Sequence, residues 1–229
     1  MPARGKPRTV RSSTIGPEAP ELDPSLRDAD HQIVEPGDVW EAERVVGADL
    51  TGIVVKNVQM TGCELLRVAC TGAHIELLSL TDVVMTDCEL SGAVLSKASL
   101  RRVELRNCRL AGVVLSDSQL RDVRFVSCKL DGANFRFATA QHVVFDDCSL
   151  AEADFTGAQL EAVKFERCDL RNSDYSRASA TNTRLRGSTV DGLRGAATLG
   201  GITVDSTQVV PLALGVFAEL GIAIDDGPE

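Results

Sequence analysis

Residues 133–157 read ANFRF-ATAQH-VVFDD-CSLAE-ADFTG, five consecutive pentads centred on Phe135, Ala140, Phe145, Leu150 and Phe155. Ala133, Ala138, Val143, Cys148 and Ala153 stand two places before those centres. The register runs outward in both directions. Every fifth residue from Leu50 to Val190 is apolar or small, and the earlier partners include Ala48, Ile53, Val58, Cys63, Val68 and Ala73. A period of five fits neither the 3.6 of a helix nor the 2 of a flat strand, so the chain is built on an internal repeat.

Several units are near copies of one another: Ala48-Asp49-Leu50-Thr51-Gly52, Ala133-Asn134-Phe135 and Ala153-Asp154-Phe155-Thr156-Gly157. The pattern resembles the pentapeptide-repeat family, whose consensus is A(D/N)LXX, over roughly residues 46 to 192. That resemblance implies an all-β solenoid, a right-handed quadrilateral β-helix with four pentads per square coil. The central residue and the one two before it would point inward, and the rest would face solvent or form corners.

The residues test the four-sided geometry by themselves, because positions 20 apart should then stack. Cys88, Cys108, Cys128, Cys148 and Cys168 make one such column, and Val83, Val103, Val123, Val143 and Val163 another. Gly52, Gly72, Gly92, Gly112 and Gly132 make a third, broken by Glu152 and Asn172 before Gly192. A glycine column two residues past a centre suits a corner that requires positive φ. Phe125, Phe145 and Phe165 fall on one wall, and Phe135, Phe155 and Tyr175 on the wall opposite. Ala140 and Ala180 replace larger residues between them, so a close-packed, solid core is expected.

These columns divide the chain into a disordered leader (1–30), an N-terminal cap (31–47), a β-helix of about seven coils (48–192) and a C-terminal cap (193–229). The leader is rich in Pro, Arg, Ser and acids and nearly devoid of apolar residues. Trp40 and Val45 keep the pentad register in the first cap. Asp205 and Gln208 are spaced as a capping box before a short α-helix of about 206–220, with Pro211 in its first turn and Gly221 stopping it. That helix covers the last coil, or makes a homodimer as in some members of the resembled family, or does both. No apolar segment follows Met1 and no run of 18 apolar residues occurs, so a cytoplasmic, non-membrane protein is expected.

Chemistry-bearing patterns are sparse. The stacked cysteines occupy an inward position where other coils carry Ala, Val or Ser, which makes them small buried hydrophobes, not disulfides or metal ligands. His31, His74 and His142 lie far apart in the repeat, and the glycines serve corners and cradle no phosphate. No catalytic residue, cofactor or metal is expected.

Charge separates the remaining functions. The chain carries −9 overall. Residues 1–45 contribute −3 (9 acids, 6 bases) and residues 191–229 contribute −5 (6 acids, 1 base), leaving −1 for residues 46–190 (18 acids, 17 bases). The resemblance brings an alternative function, a DNA mimic that binds gyrase or another topoisomerase as quinolone-resistance members do. Such mimicry needs a rod that is negative along its length, and this one is nearly neutral with a basic waist. The waist includes Arg101, Arg102, Arg106, Arg121 and Arg124, read either as a solvated surface or as a patch for an acidic partner. Nucleic acid is a poor fit, since aromatics to stack bases are nearly absent there. A second candidate is the outward column Val54, His74, Val94 and Val114, with Leu77 at the adjoining corner, where the family pattern prefers Asp or Asn. It is a partner surface, or a strip that the leader covers, or simply the strand preference of β-branched residues. The expected function is a non-catalytic scaffold that binds a protein partner, whose identity the sequence does not give.

Overall fold

The computed structural model describes residues 16–31 and 33–223, and the expectations for residues 1–15 and 224–229 lie outside them. The chain winds into a square β-solenoid of about nine turns followed by one short helix. Each turn has four walls, named here by their central residues. Wall I carries Leu50, Cys70, Leu90 and Leu110. Wall II carries Val55, Ile75, Leu95 and Leu115, wall III Trp40, Met60, Leu80 and Leu100, and wall IV Val45, Leu65, Met85 and Leu105.

Successive coils pair in parallel with a constant offset of 20 residues. On wall IV, Val45, Leu65, Met85, Leu105, Phe125, Phe145, Phe165 and Leu185 are stacked partners. On wall I, the bridges Glu89–Arg109–Lys129–Ser149–Asp169 set the five cysteines one above another. Each coil supplies the backbone donors and acceptors that the next one needs, so stability accumulates along the stack.

Corners depend less on glycine than the sequence suggests. Gly52, Gly72, Gly92, Gly112 and Gly132 have φ between 61° and 65°, but Glu152 and Asn172 in the same column keep 60° and 58°. The stacked walls force the left-handed turn whatever residue occupies it, at a cost that glycine avoids.

The barrel is longer than 48–192. Strands β2 (Val39–Glu41) and β3 (Glu43–Val46) pair in the 20-residue register with Gln59–Thr61 and Glu64–Leu66, so the expected N-terminal cap is itself a coil. Strand β1 (Arg27–Ala29) pairs with β3 at an offset of 16, and Ile202–Val204 pairs with Thr183–Leu185 at 19. The repeat thus breaks register at both ends. The expectation of a disordered leader over 1–30 is corrected for residues 16–30, which lie on the barrel. Such a segment builds no core of its own, but it needs none when the barrel offers it hydrogen-bond acceptors. His31 completes the N-terminal lid: its ring stacks on Trp40 at 3.8 Å and 6°, and its Nε2 lies 2.7 Å from Glu43 Oε2.

At the other end, Ser206–Gln208 forms a 3-10 turn that leads into helix α1 (Val209–Glu219). The Asp205 N–H donates to Gln208 Oε1 at 2.8 Å, and Gln208 Nε2 donates to the Ser188 carbonyl at 2.8 Å. Pro211 falls in the first turn of α1, where its missing N–H would lack a helical partner in any case. Glu219 accepts the N–H groups of Gly195, Ala196 and Ala197 at 2.5, 3.1 and 3.2 Å, tying the helix to the last coil. Gly215 lets α1 approach closely, since a Cβ there would stand 3.1 Å from the Leu193 carbonyl. Gly221 ends the helix at φ 68°, with the Ile222 N–H bonded back to Phe217.

Two aromatic ladders fill the C-terminal half of the core. Phe125, Phe145 and Phe165 stack at 4.8 and 5.0 Å, and Phe135, Phe155 and Tyr175 at 4.8 and 4.9 Å. The ladders meet edge to face at 5.8–6.3 Å. The expectation of a solid core fails where leucines replace the rings. A narrow apolar cavity of about 40 Å³ follows the axis there, with Leu65, Met85, Leu95, Leu105, Leu115 and Phe125 in its lining. Branched aliphatic tips from four walls leave gaps at the axis that flat rings close.

Candidate interaction surface

Columns in the repeat become stripes on the rod. On wall II, the outward residues Val54, His74, Val94 and Val114 stack in order and continue into Asn134, Asp154 and Asp174. Val54 is 81% exposed and Leu77 49%, while Val94 and Val114 are half-buried by their neighbours. A shallow concavity of about 220 Å³ borders the stripe at Pro36, Val54, Lys56, His74 and Glu76. Its acidic continuation is neutralised locally: Arg136 Nη1 reaches Asp154 Oδ2 at 2.9 Å and Arg194 Nη2 reaches Asp174 Oδ2 at 3.2 Å.

The basic residues assemble as the 20-residue register requires. Arg101 and Arg121 are stacked partners on wall III, Arg102 occupies the corner between walls III and IV, and Arg106 and Arg124 lie on wall IV. They are not equivalent. The Arg102 guanidinium grips both oxygens of Asp82, donating from Nε at 2.6 Å and from Nη2. Arg106 Nε donates to Glu104 at 2.8 Å, and Arg121 Nε stands 3.6 Å from Asp122. Among the described residues, Arg101 and Arg124 make no ion pair.

Asp82 and Asp122 escaped the sequence reading. They share the corner column of Arg102, with His142 next in line, and the Asp122 carboxylate is 3.4 Å from His142 Nδ1. Both are buried, at 7% and 6% exposure. Their cover is the leader. The Glu21 N–H donates to Asp82 Oδ1 at 3.1 Å and the Glu18 N–H to Asp122 Oδ1 at 3.3 Å. Hydrogen bonds from Arg102 hold the Asp82 carboxyl below the usual carboxylate range, against the opposing effect of burial. Writing the column Asp82, Arg102, Asp122 in coil register would have exposed this alternation of charge. The described part of the leader therefore runs along the III/IV corner, not over the wall II stripe.

The buried thiols serve the backbone. Cys63, Cys108 and Cys128 donate to the carbonyls of Trp40, Met85 and Leu105 at 3.4–3.6 Å, and Ser118 and Ser188 repeat that bond to Leu95 and Phe165. Each partner lies 23 residues earlier, which explains why Cys and Ser interchange at this inward position. Burial pushes the Cys70 thiol up to about 12. No group of three or more His, Cys, Asp and Glu able to hold a metal occurs among the described residues. No helix there is long and apolar enough to cross a membrane. Helix α1, by contrast, leaves Val209, Val210, Leu214 and Phe217 exposed, with Leu220 and Ile222 beyond its end.

A family model described as a pentapeptide repeat region matches residues 53–135 and 118–194. Among solved structures, full-length QnrB1, described as a plasmid-mediated fluoroquinolone resistance protein, is similar at 19% identity over 85% of this chain and 95% of that one, with a TM-score of 0.41. HetL, a pentapeptide repeat protein involved in heterocyst differentiation regulation from the cyanobacterium Nostoc sp. strain PCC 7120, is 17% identical over 71% of this chain and 90% of that one, with a TM-score of 0.24. A pentapeptide repeat protein of the Arabidopsis thaliana thylakoid lumen is 21% identical over 55% of this chain and 71% of that one, with a TM-score of 0.25. No curated protein sequence matches.

Proposed function

The chain belongs to the pentapeptide-repeat family, and on that premise we propose that it is a non-catalytic scaffold whose exposed columns bind a protein partner. The observation that carries this reading is the wall II stripe. Val54, Val94 and Val114, with His74 among them, form a mostly apolar outward column beside a shallow concavity, and the leader and α1 both make their described bonds elsewhere. Contiguous apolar surface rimmed by polar groups favours association. The test is affinity capture with the wild type against a Val94→Asp/Val114→Asp variant. Loss of a captured protein supports the stripe as its contact; survival of every bound protein refutes it.

The exposed face of α1 supports self-association as a homodimer through that helix. Val209, Val210, Leu214 and Phe217 are exposed on α1, and Leu220 and Ile222 extend that apolar face past its C-terminal end, a contiguous patch of the kind that favours association. Sedimentation analysis of Leu214→Asp/Phe217→Asp decides this: the wild type sediments as a dimer and the variant as a monomer, while a monomeric wild type refutes the pairing. Seven free cysteines suit a reducing compartment and support a cytoplasmic location. The near-neutral barrel weighs against the topoisomerase-directed alternative. A gyrase supercoiling assay that shows neither inhibition nor protection at micromolar protein removes it.

A further inference from the structure

We propose that the corner between walls III and IV is a recognition groove for an extended, proline-spaced acidic peptide of a partner protein, occupied in cis by residues 16–26 of this chain. This inference concerns a different face from the wall II stripe and does not depend on it.

The match is one of pitch. The leader reads Gly16-Pro17-Glu18-Ala19-Pro20-Glu21-Leu22-Asp23-Pro24, and closely spaced prolines favour the polyproline II conformation. Three residues of that conformation advance ~9.3 Å. Two coils of the solenoid, at the strand spacing of a ladder, advance ~9.6 Å. Glu18 and Glu21 are three residues apart, and Asp122 and Asp82, which accept their N–H groups, are two coils apart. A peptide lying along the axis therefore delivers one N–H to every second coil without stretching. Pro17 and Pro20 are half-buried while Glu18 and Glu21 are exposed, as a threefold extended helix on a surface requires.

Side chains complete the groove. Arg102 stands between the two acceptors, fixed by its double contact to Asp82. Glu21 and Glu18 are near enough to add to the field that favours its charge. Arg101, Arg121 and Arg124 flank the same corner, so carboxylates on a bound segment meet cations on both sides. Asp82 and Asp122 are also the buried acids of the barrel: among the described residues no other corner buries a carboxylate. The floor thus reads backbone N–H groups and the rim reads acidic side chains. Because the cis segment is tethered, a partner's segment must displace it, and the apparent affinity falls by the fraction of grooves left open.

The experiment uses the full-length chain and a fluorescein-labelled peptide of residues 16–26, followed by anisotropy. The wild type is compared with Glu18→Lys/Glu21→Lys, whose own leader is repelled by the arginines. The peptide is expected to bind this variant at least about tenfold more tightly than the wild type. Replacing its three prolines by glycine should weaken it, and adding Asp82→Ala/Asp122→Ala to the protein should abolish binding. Amide exchange on the unmodified chain supplies a second reading, with the Glu18 and Glu21 N–H groups protected. Equal affinity for wild type and variant, binding that survives loss of both aspartates, or unprotected Glu18 and Glu21 amides would each overturn the proposal.

Discussion

Replacing Phe145 by alanine should cost this protein more than the same change at Phe125, although the two rings are equally buried and belong to one ladder. Phe145 is 1% exposed and Phe125 0%. Phe145 stacks on Phe125 and Phe165 at 4.8 and 5.0 Å and meets the edges of Phe135 and Phe155 at 6.0 and 6.3 Å. Phe125 has a single ring pair, with Phe145. Removing a buried phenylalanine costs about 3–5 kcal/mol from transfer and cavity effects. Each aromatic pair adds about 0.5–1.5 kcal/mol beyond burial, and Phe145 forfeits three more than Phe125. Phe145→Ala should therefore be the more destabilising by about 1.5–4.5 kcal/mol. Phe145→Leu, which keeps most of the volume, isolates the aromatic contribution. Guanidinium denaturation followed by circular dichroism reads the difference as a shift in midpoint at unchanged slope. Equal losses at Phe125 and Phe145, within about 0.5 kcal/mol, would show that the rings act only as volume and that the ladder adds nothing.

Ala162 holds φ 54° at the III/IV corner, so Ala162→Gly should raise stability by about 0.5–1 kcal/mol, the reverse of the usual glycine penalty. A fall in the thermal midpoint would contradict this. Native protein at pH 8 should leave all seven thiols unreacted with a disulfide reagent over minutes and expose seven in denaturant, since each is buried. Rapid labelling of even two in the folded state argues against the closed barrel. The Asp82 carboxyl, held low by Arg102, contributes stability that is complete above the ordinary carboxylate pKa of ~3.9 and is lost as pH falls through its depressed folded value. Protection of the Glu21 amide should accordingly persist from pH 7 down through the ordinary carboxylate range and collapse only below it. A collapse between pH 5 and 6 would mean that another group holds the leader.

Most of the barrel was legible because its interactions are translational. When each coil meets only copies of itself, a residue's neighbours are those 20 positions away, and Cys108 over Cys128 or Phe145 over Phe165 follows from counting. The apolar stripe on wall II and the clustering of Arg101, Arg102, Arg106, Arg121 and Arg124 were readable for the same reason. Their state was not. Arg102 looks as free as Arg101 in the sequence, yet one is locked on a buried aspartate and the other faces solvent.

What the chain alone determined was the repeat: four walls, inward and outward columns, the aromatic ladders and the capped helix at the end. Only the tertiary structure decided how the ends are closed and where the leader goes. The 16- and 19-residue offsets of the terminal strands obey no period, and His31 on Trp40 is a single contact with no copy among the described residues. The leader settles on the III/IV corner because two carboxylates there stand two coils apart, matching donors three residues apart. A segment outside the repeat has no register to inherit, so its position depends on complementarity to the finished surface, a property that exists only once the coils have stacked.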